Sequence, residues 1–210
     1  MYKNIVKRSL DFFFALILLI LSSPFLLIAC IAIPLESRGS PVFSHQRVGY
    51  KNKIFTVYKL RTMCLETHRD GRKLRDRERV TKVGRILRKT SIDELPQLIN
   101  ILKGEMSFIG PRPLPVRYYP FYTEEEILRH EVRPGITGLA QINGRSNLEW
   151  EKRFEYDVYY YRNLSLGMDL DILWKTIGKV FGQKDTSTIR PASLVDFDIH
   201  RKGQERRSAL

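Results

Sequence analysis

The sequence predicts a mostly helical α+β protein with an apolar N-terminal membrane element, one short β-hairpin and amphipathic interfacial helices. Three observations lead there. From Phe12 to Leu35 the chain is almost wholly apolar, and Ser22-Ser23-Pro24 sits near the middle of that run. Two segments of alternating polarity flank the turn residues 49–53. After residue 80, apolar residues recur at helical spacing in successive stretches. The expected organisation is a re-entrant membrane hairpin over residues 1–36, a domain over 37–181 and a polar tail over 182–210.

The 36 Lys and Arg residues against 23 Asp and Glu give a net charge of +13, so the partner is expected to be anionic. Nucleic acid, an acidic membrane surface and a phosphorylated substrate all meet that description. Hydrophobic content of 43% excludes a disordered chain. Cys30 and Cys64 build no disulfide framework, and His45, His68, His130 and His200 lack metal-ligand spacing.

Lys3, Lys7 and Arg8 precede the apolar run, and Arg38, Arg47, Lys51 and Lys53 follow it. Positive residues stay cytoplasmic, so both ends favour the same side of a membrane. Pro24 cannot donate to the carbonyl of Ile20, and its ring bends a helix. Ser22 and Ser23 offer hydroxyls to the freed backbone groups. A helix-break-helix hairpin follows, with a kinked spanning helix as the alternative.

Residues 41–47 and 54–59 are the strands of the hairpin. Residues 66–79 form a mixed-charge run without apolar periodicity, read as a solvated loop or exposed helix. Val83, Ile86 and Leu87 predict one side of a short basic helix over 80–89. Tyr118, Tyr119, Phe121 and Tyr122 read as core or as anchors at the headgroup level. A helix is expected to start at Thr123, and residues 133–138 to form a turn. Further helices are expected over 149–162, with Asp157 on the polar side, and over 169–181. The tail after Gly182 is expected to be mobile.

The stretch from Arg88 to Pro113 carries the chemistry. Asp93 and Glu94 are adjacent acids at the start of a short helix with Leu95, Leu98, Ile99 and Leu102 on one face. Arg88 and Lys89 precede them, and Arg112 follows between two prolines. Acids among cations near a helix N-terminus suit phosphate chemistry. Ser91-Ile92-Asp93-Glu94 equally fits a capping box in which Glu94 reaches back to Ser91. The local pattern does not separate a cap from a catalyst. No P-loop, dinucleotide-binding glycine pattern, nucleophile elbow or zinc motif is present.

Five segments together resemble the small monotopic phosphoglycosyl transferases of the bacterial sugar transferase family. They are Lys7-Arg8-Ser-Leu-Asp11 before the Ser-Pro-interrupted apolar run, Tyr58-Lys59-Leu-Arg61-Thr-Met63, Ser91-Ile-Asp93-Glu94-Leu-Pro96-Gln97-Leu, Met106-Ser-Phe-Ile-Gly-Pro-Arg112-Pro, and Val132 through Gln141 to Arg145. The resemblance covers about residues 1–181. It implies transfer of sugar-1-phosphate from a UDP-sugar to undecaprenyl phosphate, releasing UMP, by ping-pong through an aspartyl-phosphosugar. It implies Asp93 as nucleophile, Glu94 as its acidic partner, and Mg2+ held by Asp93 and Glu94. Lys59, Arg88, Arg112, Arg145 and Asp157 match substrate-binding positions. The implied location is the cytoplasmic face of the bacterial inner membrane, in contact with membrane lipids. The charge alone also allows a nucleic-acid binder, which the motif search disfavours, or a non-enzymatic membrane scaffold.

Overall fold

A computed structural model describes residues 2–69, 71–144, 148–181 and 195–208. A π-helical turn, Tyr2–Val6, leads into α1 (Lys7–Glu36). The chain continues through β1 (Val42–Val48), β2 (Ile54–Leu60), β3 (His68–Arg69), β4 (Arg72–Lys73), α2 (Asp76–Arg79) and α3 (Lys82–Thr90). A 3-10 turn, Ile92–Glu94, precedes α4 (Gln97–Lys103) and β5 (Ser107–Ile109). Next come α5 (Glu124–Ile127), β6 (Gly135–Thr137), α6 (Leu139–Gly144), α7 (Trp150–Asn163), α8 (Leu166–Phe181) and α9 (Phe197–Ser208). The hairpin β1-β2 falls where alternation predicted it.

α1 is long and apolar enough to cross a membrane. It runs on through Ser22-Ser23-Pro24, where the sequence suggests a break. The reason is local. Pro24 has no N–H for the Ile20 carbonyl, and Ser23 Oγ donates to that oxygen instead, at 2.8 Å. Ser22 Oγ donates to the Leu19 carbonyl at 3.4 Å. The Ser23 hydroxyl thus replaces the lost bond, and the helix continues past the proline.

The chain forms two compact units. One comprises Phe12–His45 and Thr56–Lys103. Its core joins Ala29 and Ile33 of α1 to Leu60 of β2 and Leu87 of α3. Leu87 is buried as periodicity implies, but Ile86 of the same predicted face is 63% exposed. The Glu36 carboxylate accepts from the backbone N–H groups of Lys82 and Val83, so the end of α1 caps the start of α3. A Cβ on Gly84 would lie 2.1 Å from the Thr62 carbonyl oxygen, so only glycine permits this approach of α3. Arg61 donates to Ser37, Gly39 and Ser40 and ties down the loop after α1. The mixed-charge run becomes a two-residue antiparallel pair, β3-β4, followed by the exposed α2.

The other unit comprises Met1–Asp11, Gln46–Phe55 and Gly104–Leu210. Residues 133–138 are not simply a turn, because β6 within them pairs in parallel with β5, Ser107 opposite Gly135 and Ile109 opposite Thr137. A Cβ on Gly135 would lie 2.2 Å from the Gly110 nitrogen, which explains the glycine at this crossing. One cluster buries Ile109, Val132, Ile142, Tyr160 and Ile172. A second is aromatic and joins Tyr118, Trp150, Phe154 and Phe197 with Leu114. Thr123 caps α5 through a complete capping box with Glu126.

Two expectations change here. Asp157 is not on a polar side of α7 but 1% exposed, because a buried arginine pairs with it. The tail contains α9, anchored by fully buried Phe197. Residues 182–194 lie outside the described residues.

Replacing Phe197 by alanine removes the aromatic that joins α9 to this core. A loss of about 3–5 kcal/mol is expected in denaturant unfolding. An unchanged midpoint would mean that α9 does not depend on this packing.

Candidate active site

The acidic pair is placed by what ends the preceding helix. Ser91 adopts the left-handed conformation (φ 57°) and closes α3, its N–H bonded to the carbonyls of Leu87 and Arg88. Its side chain makes no capping bond to the turn that follows. The capping-box reading therefore fails at Ser91-Glu94. Glu94 turns elsewhere: its Oε1 accepts from Lys59 Nζ at 2.5 Å. Both partners are about three-quarters buried, 28% and 23% exposed, so water screens this pair less than a surface pair.

Because Ile92–Glu94 is a 3-10 turn and α4 begins only at Gln97, the predicted apolar face also shifts. Leu98 is buried as expected, with Gln97, Asn100 and Ile101 beside it. Ile99 is 38% exposed and Leu102 half-buried. Asn100 replaces an apolar contact with hydrogen bonds to β2, accepting from the Tyr58 N–H and donating to the Thr56 carbonyl.

Asp93 is half-buried. Burial raises its proton affinity above that of an ordinary aspartate, and the Glu94 carboxylate adds to this. Lys59 and Arg88 act in the opposite direction without cancelling it. Desolvation and a like charge therefore outweigh the surrounding cations. Arg88 is oriented by Thr62, whose Oγ1 accepts from its Nε at 2.8 Å. Four predicted site residues, Lys59, Arg88, Asp93 and Glu94, thus lie in one electrostatic neighbourhood of one unit.

The other unit holds Arg112 and Asp157. Arg129, which the sequence did not single out, links them. Its Nε and Nη2 donate to Asp157 Oδ2 at 3.0 and 2.8 Å, and Nη2 also donates to the Arg112 carbonyl at 2.7 Å. Arg129 is 1% exposed. Burial opposes its charge, the Asp157 carboxylate restores it, and the net effect is to hold the proton more firmly than usual. Asp157 thus positions Arg112 through Arg129. The same arginine donates to His130 Nε2 at 3.4 Å, while Nδ1 lies 2.8 Å from Asn52 Oδ1. Burial and Arg129 lower the His130 pKa to about 3, so the ring is neutral at neutral pH and Nδ1 carries its proton to Asn52.

From the sequence, Arg47 is named only as part of the basic flank of the apolar run. Its backbone pairs with Pro115, on the strip that carries Arg112. Burial lowers its pKa to about 10, and Arg112 and Arg117 contribute in the same direction. The cue available in sequence was a basic residue at the end of a strand, which is also a common solvated position. Arg145 lies outside the described residues. Among those described, no group of three or more His, Cys, Asp or Glu side chains is placed to hold a metal ion.

Residues 2–183 match the bacterial sugar transferase family. The chain is 52% identical over 177 residues to the sugar transferase EpsL of Bacillus subtilis, covering 84% of this chain and 87% of that one. It is 43% identical over 190 residues to the UDP-glucose:undecaprenyl-phosphate glucose-1-phosphate transferase of Klebsiella pneumoniae, covering 86% of this chain but 41% of that relative. It is also 43% identical over 184 residues to the UDP-N-acetylgalactosamine-undecaprenyl-phosphate N-acetylgalactosaminephosphotransferase of Aeromonas hydrophila, with 82% and 43% covered. The chain thus spans about two fifths of the last two relatives.

Two outcomes follow from these environments. A carboxyl-carbon NMR titration should place the Asp93 midpoint above the ~3.9 of a free aspartate, and Glu94→Gln should lower it. A midpoint unmoved by that substitution would contradict the coupling. Arg129→Met leaves Asp157 buried without its cation and should cost about 3–5 kcal/mol in chemical denaturation. Adding Asp157→Leu should recover part of that loss.

Proposed function

This chain belongs to the bacterial sugar transferase family and is a phosphoglycosyl transferase, and we propose that it moves sugar-1-phosphate from a UDP-sugar to undecaprenyl phosphate. The observation that carries the reading is the acidic pair on the 3-10 turn, half-buried beside Lys59 and Arg88. Each is a residue type that this chemistry requires.

In the first step an ionised Asp93 oxygen attacks the sugar-bearing phosphorus. The bond from that phosphorus to the bridging oxygen breaks, and the bridging oxygen leaves with UMP. In the second, a phosphate oxygen of undecaprenyl phosphate attacks the same phosphorus, and Asp93 departs as a carboxylate. One nucleophile thus serves a soluble donor and a lipid acceptor in turn. The raised proton affinity of Asp93 keeps it a good nucleophile once ionised. The Lys59-Glu94 ion pair fixes the neighbouring acid, and Arg88 offers positive charge to a phosphate. We assign phosphate-binding roles to Arg112 and Arg145 by resemblance, and to Asp157 a positioning role through Arg129.

Two adjacent carboxylates suit Mg2+, which usually takes one or two protein carboxylates and completes its shell with substrate phosphates and water. Asp93 and Glu94 would hold it, and it would neutralise charge on the diphosphate and the departing UMP. The relatives differ in the sugar they name, glucose in one and N-acetylgalactosamine in another, so the proposal extends to UDP-sugars as a class.

A lipid acceptor requires a membrane surface. The exposed apolar residues of α1 and the row Leu166, Leu170, Leu173, Trp174 and Ile177 of α8 support that placement. The basic flanks of α1 favour both ends on the cytoplasmic face of the inner membrane, a re-entrant, monotopic attachment that requires α1 to bend at Pro24 while staying helical. Cysteine labelling at both ends of α1 tests it; labels on opposite sides would establish a spanning helix.

Asp93→Asn should abolish UMP release from UDP-sugar while leaving membrane association unchanged. Incubation of the unmodified protein with labelled donor and Mg2+ alone should leave an acid-stable phosphosugar adduct at Asp93 in peptide mass spectra. Normal turnover by the variant would end the proposal.

A further inference from the structure

Asn100 is fully buried on a face of α4 that also buries Leu98 and Ile101. Packing alone would be served there by an apolar side chain, because an amide taken out of water is costly unless it is hydrogen-bonded. Both ends of this amide reach β2. Oδ1 accepts from the Tyr58 N–H at 3.3 Å, and Nδ2 donates to the Thr56 carbonyl at 2.7 Å. A donor and an acceptor facing alternate residues are what a neighbouring strand would present. One turn further along α4, Lys103 Nζ lies 5.1 Å over the Tyr58 ring.

The two elements joined in this way carry the two halves of an ion pair. Lys59 follows Tyr58 in β2. Glu94 lies in the turn that leads into α4, and backbone bonds run through that turn without a gap. Glu94 N–H donates to Ser91, Leu95 to Ile92, Leu98 to Leu95 and Ile99 to Pro96. Glu94 and Asn100 therefore belong to one hydrogen-bonded piece. It meets β2 at Asn100, and again where Lys59 reaches Glu94 at 2.5 Å. A lysine stem is flexible, so its ion pair by itself leaves the strand free to shift. A short planar amide bonded to two backbone groups does not.

Arg88 is held by other means. Thr62 Oγ1 accepts from its Nε. The Thr62 carbonyl accepts from the Thr81 N–H at 3.2 Å and lies against Gly84. Those contacts come from α3 and the residue that caps it, not from α4. Loss of the Asn100 amide would thus reach Lys59 and leave Arg88 in place.

We infer that Asn100 is a positioning residue for the transferase reaction: it holds β2 against α4 and so fixes the approach of Lys59 to Glu94. It acts through Lys59 rather than on substrate. All of these residues lie in one compact unit. The catalytic consequence rests on the proposed role of the acidic pair; the geometric part does not.

Trace acetylation of the full-length protein, read by peptide mass spectrometry, reports how freely the Lys59 amine reacts. Asn100→Ala should raise Lys59 labelling about fivefold. Exposed Lys73 should label as before. Thr62→Val, which loosens Arg88 instead, should leave Lys59 labelling unchanged. In UMP release from UDP-sugar, Asn100→Ala should lower kcat about tenfold and move KM by less than about twofold. Unchanged Lys59 labelling would overturn the inference. So would an equal rise in Thr62→Val, which would mean general loosening of the unit. A raised KM with kcat retained, or raised labelling with both constants unchanged, would overturn the role in the reaction. Circular dichroism checks folding. If the alanine variant unfolds, Asn100→Asp takes its place, keeping the size and the acceptor for Tyr58 while losing the donor to Thr56. Labelling needs no turnover, so an absence of UMP release from the unmodified protein would count against the transferase reading and leave this test readable.

Discussion

The contact between Lys59 and Glu94 decides how the acidic pair is held. Adjacent acids at the start of a helix would ordinarily satisfy the helix itself, one as a cap and both against its dipole. Here Ser91 has left helical space to close α3, so the cap that Glu94 would complete does not exist. Lys59, held in β2 by the hairpin ladder, takes the Glu94 carboxylate. The pair then belongs to a strand and a turn rather than to one helix. Asp93 is left to the combined influence of burial and a like charge, which together raise its proton affinity against the nearby cations.

The second compact unit follows a related rule with a different outcome. Arg129 and Asp157 are both almost fully buried, a placement that costs several kcal/mol per ion unless each finds its partner and further hydrogen bonds. They do, and the surplus donor of Arg129 reaches the Arg112 carbonyl. A desolvated ion pair thus holds the backbone of a proline-flanked arginine. The neutral His130 beside it completes the network without adding a second buried charge. At Thr123 and Glu126 the capping box forms even though Arg201 also pairs with the glutamate, because one carboxylate oxygen takes the Thr123 N–H and the other the guanidinium.

Surface chemistry divides in a similar way. The apolar residues of α1 and the row on α8 remain uncovered, while basic residues gather before and after α1. Hydrophobic burial and attraction to anionic headgroups are separate contributions, and a protein working on a lipid acceptor benefits from both. Ser23 shows how little is needed to pass a proline inside such a segment: one hydroxyl on the orphaned Ile20 carbonyl keeps the helix continuous.

Local information made much of this readable. Alternation placed the β1-β2 hairpin, helical spacing placed α7 and α8, and the order of short motifs pointed to Asp93, Glu94, Lys59 and Arg88. Those signals lie within a few residues of one another, or in motif order, and survive without a fold. Tertiary structure decided the rest. The β5-β6 pair has three residues a side, too few for alternation to register. Asp157 looked solvated because its partner lies 28 positions away. Phe197 looked like part of a polar tail because its aromatic neighbours come from α7 and the segment before α5. Sequence by itself determined which residue types were available and which stretches were helical or extended. Burial and charge pairing between distant residues determined which acid was held, which was raised in proton affinity and which became scaffold, because both depend on where water is excluded.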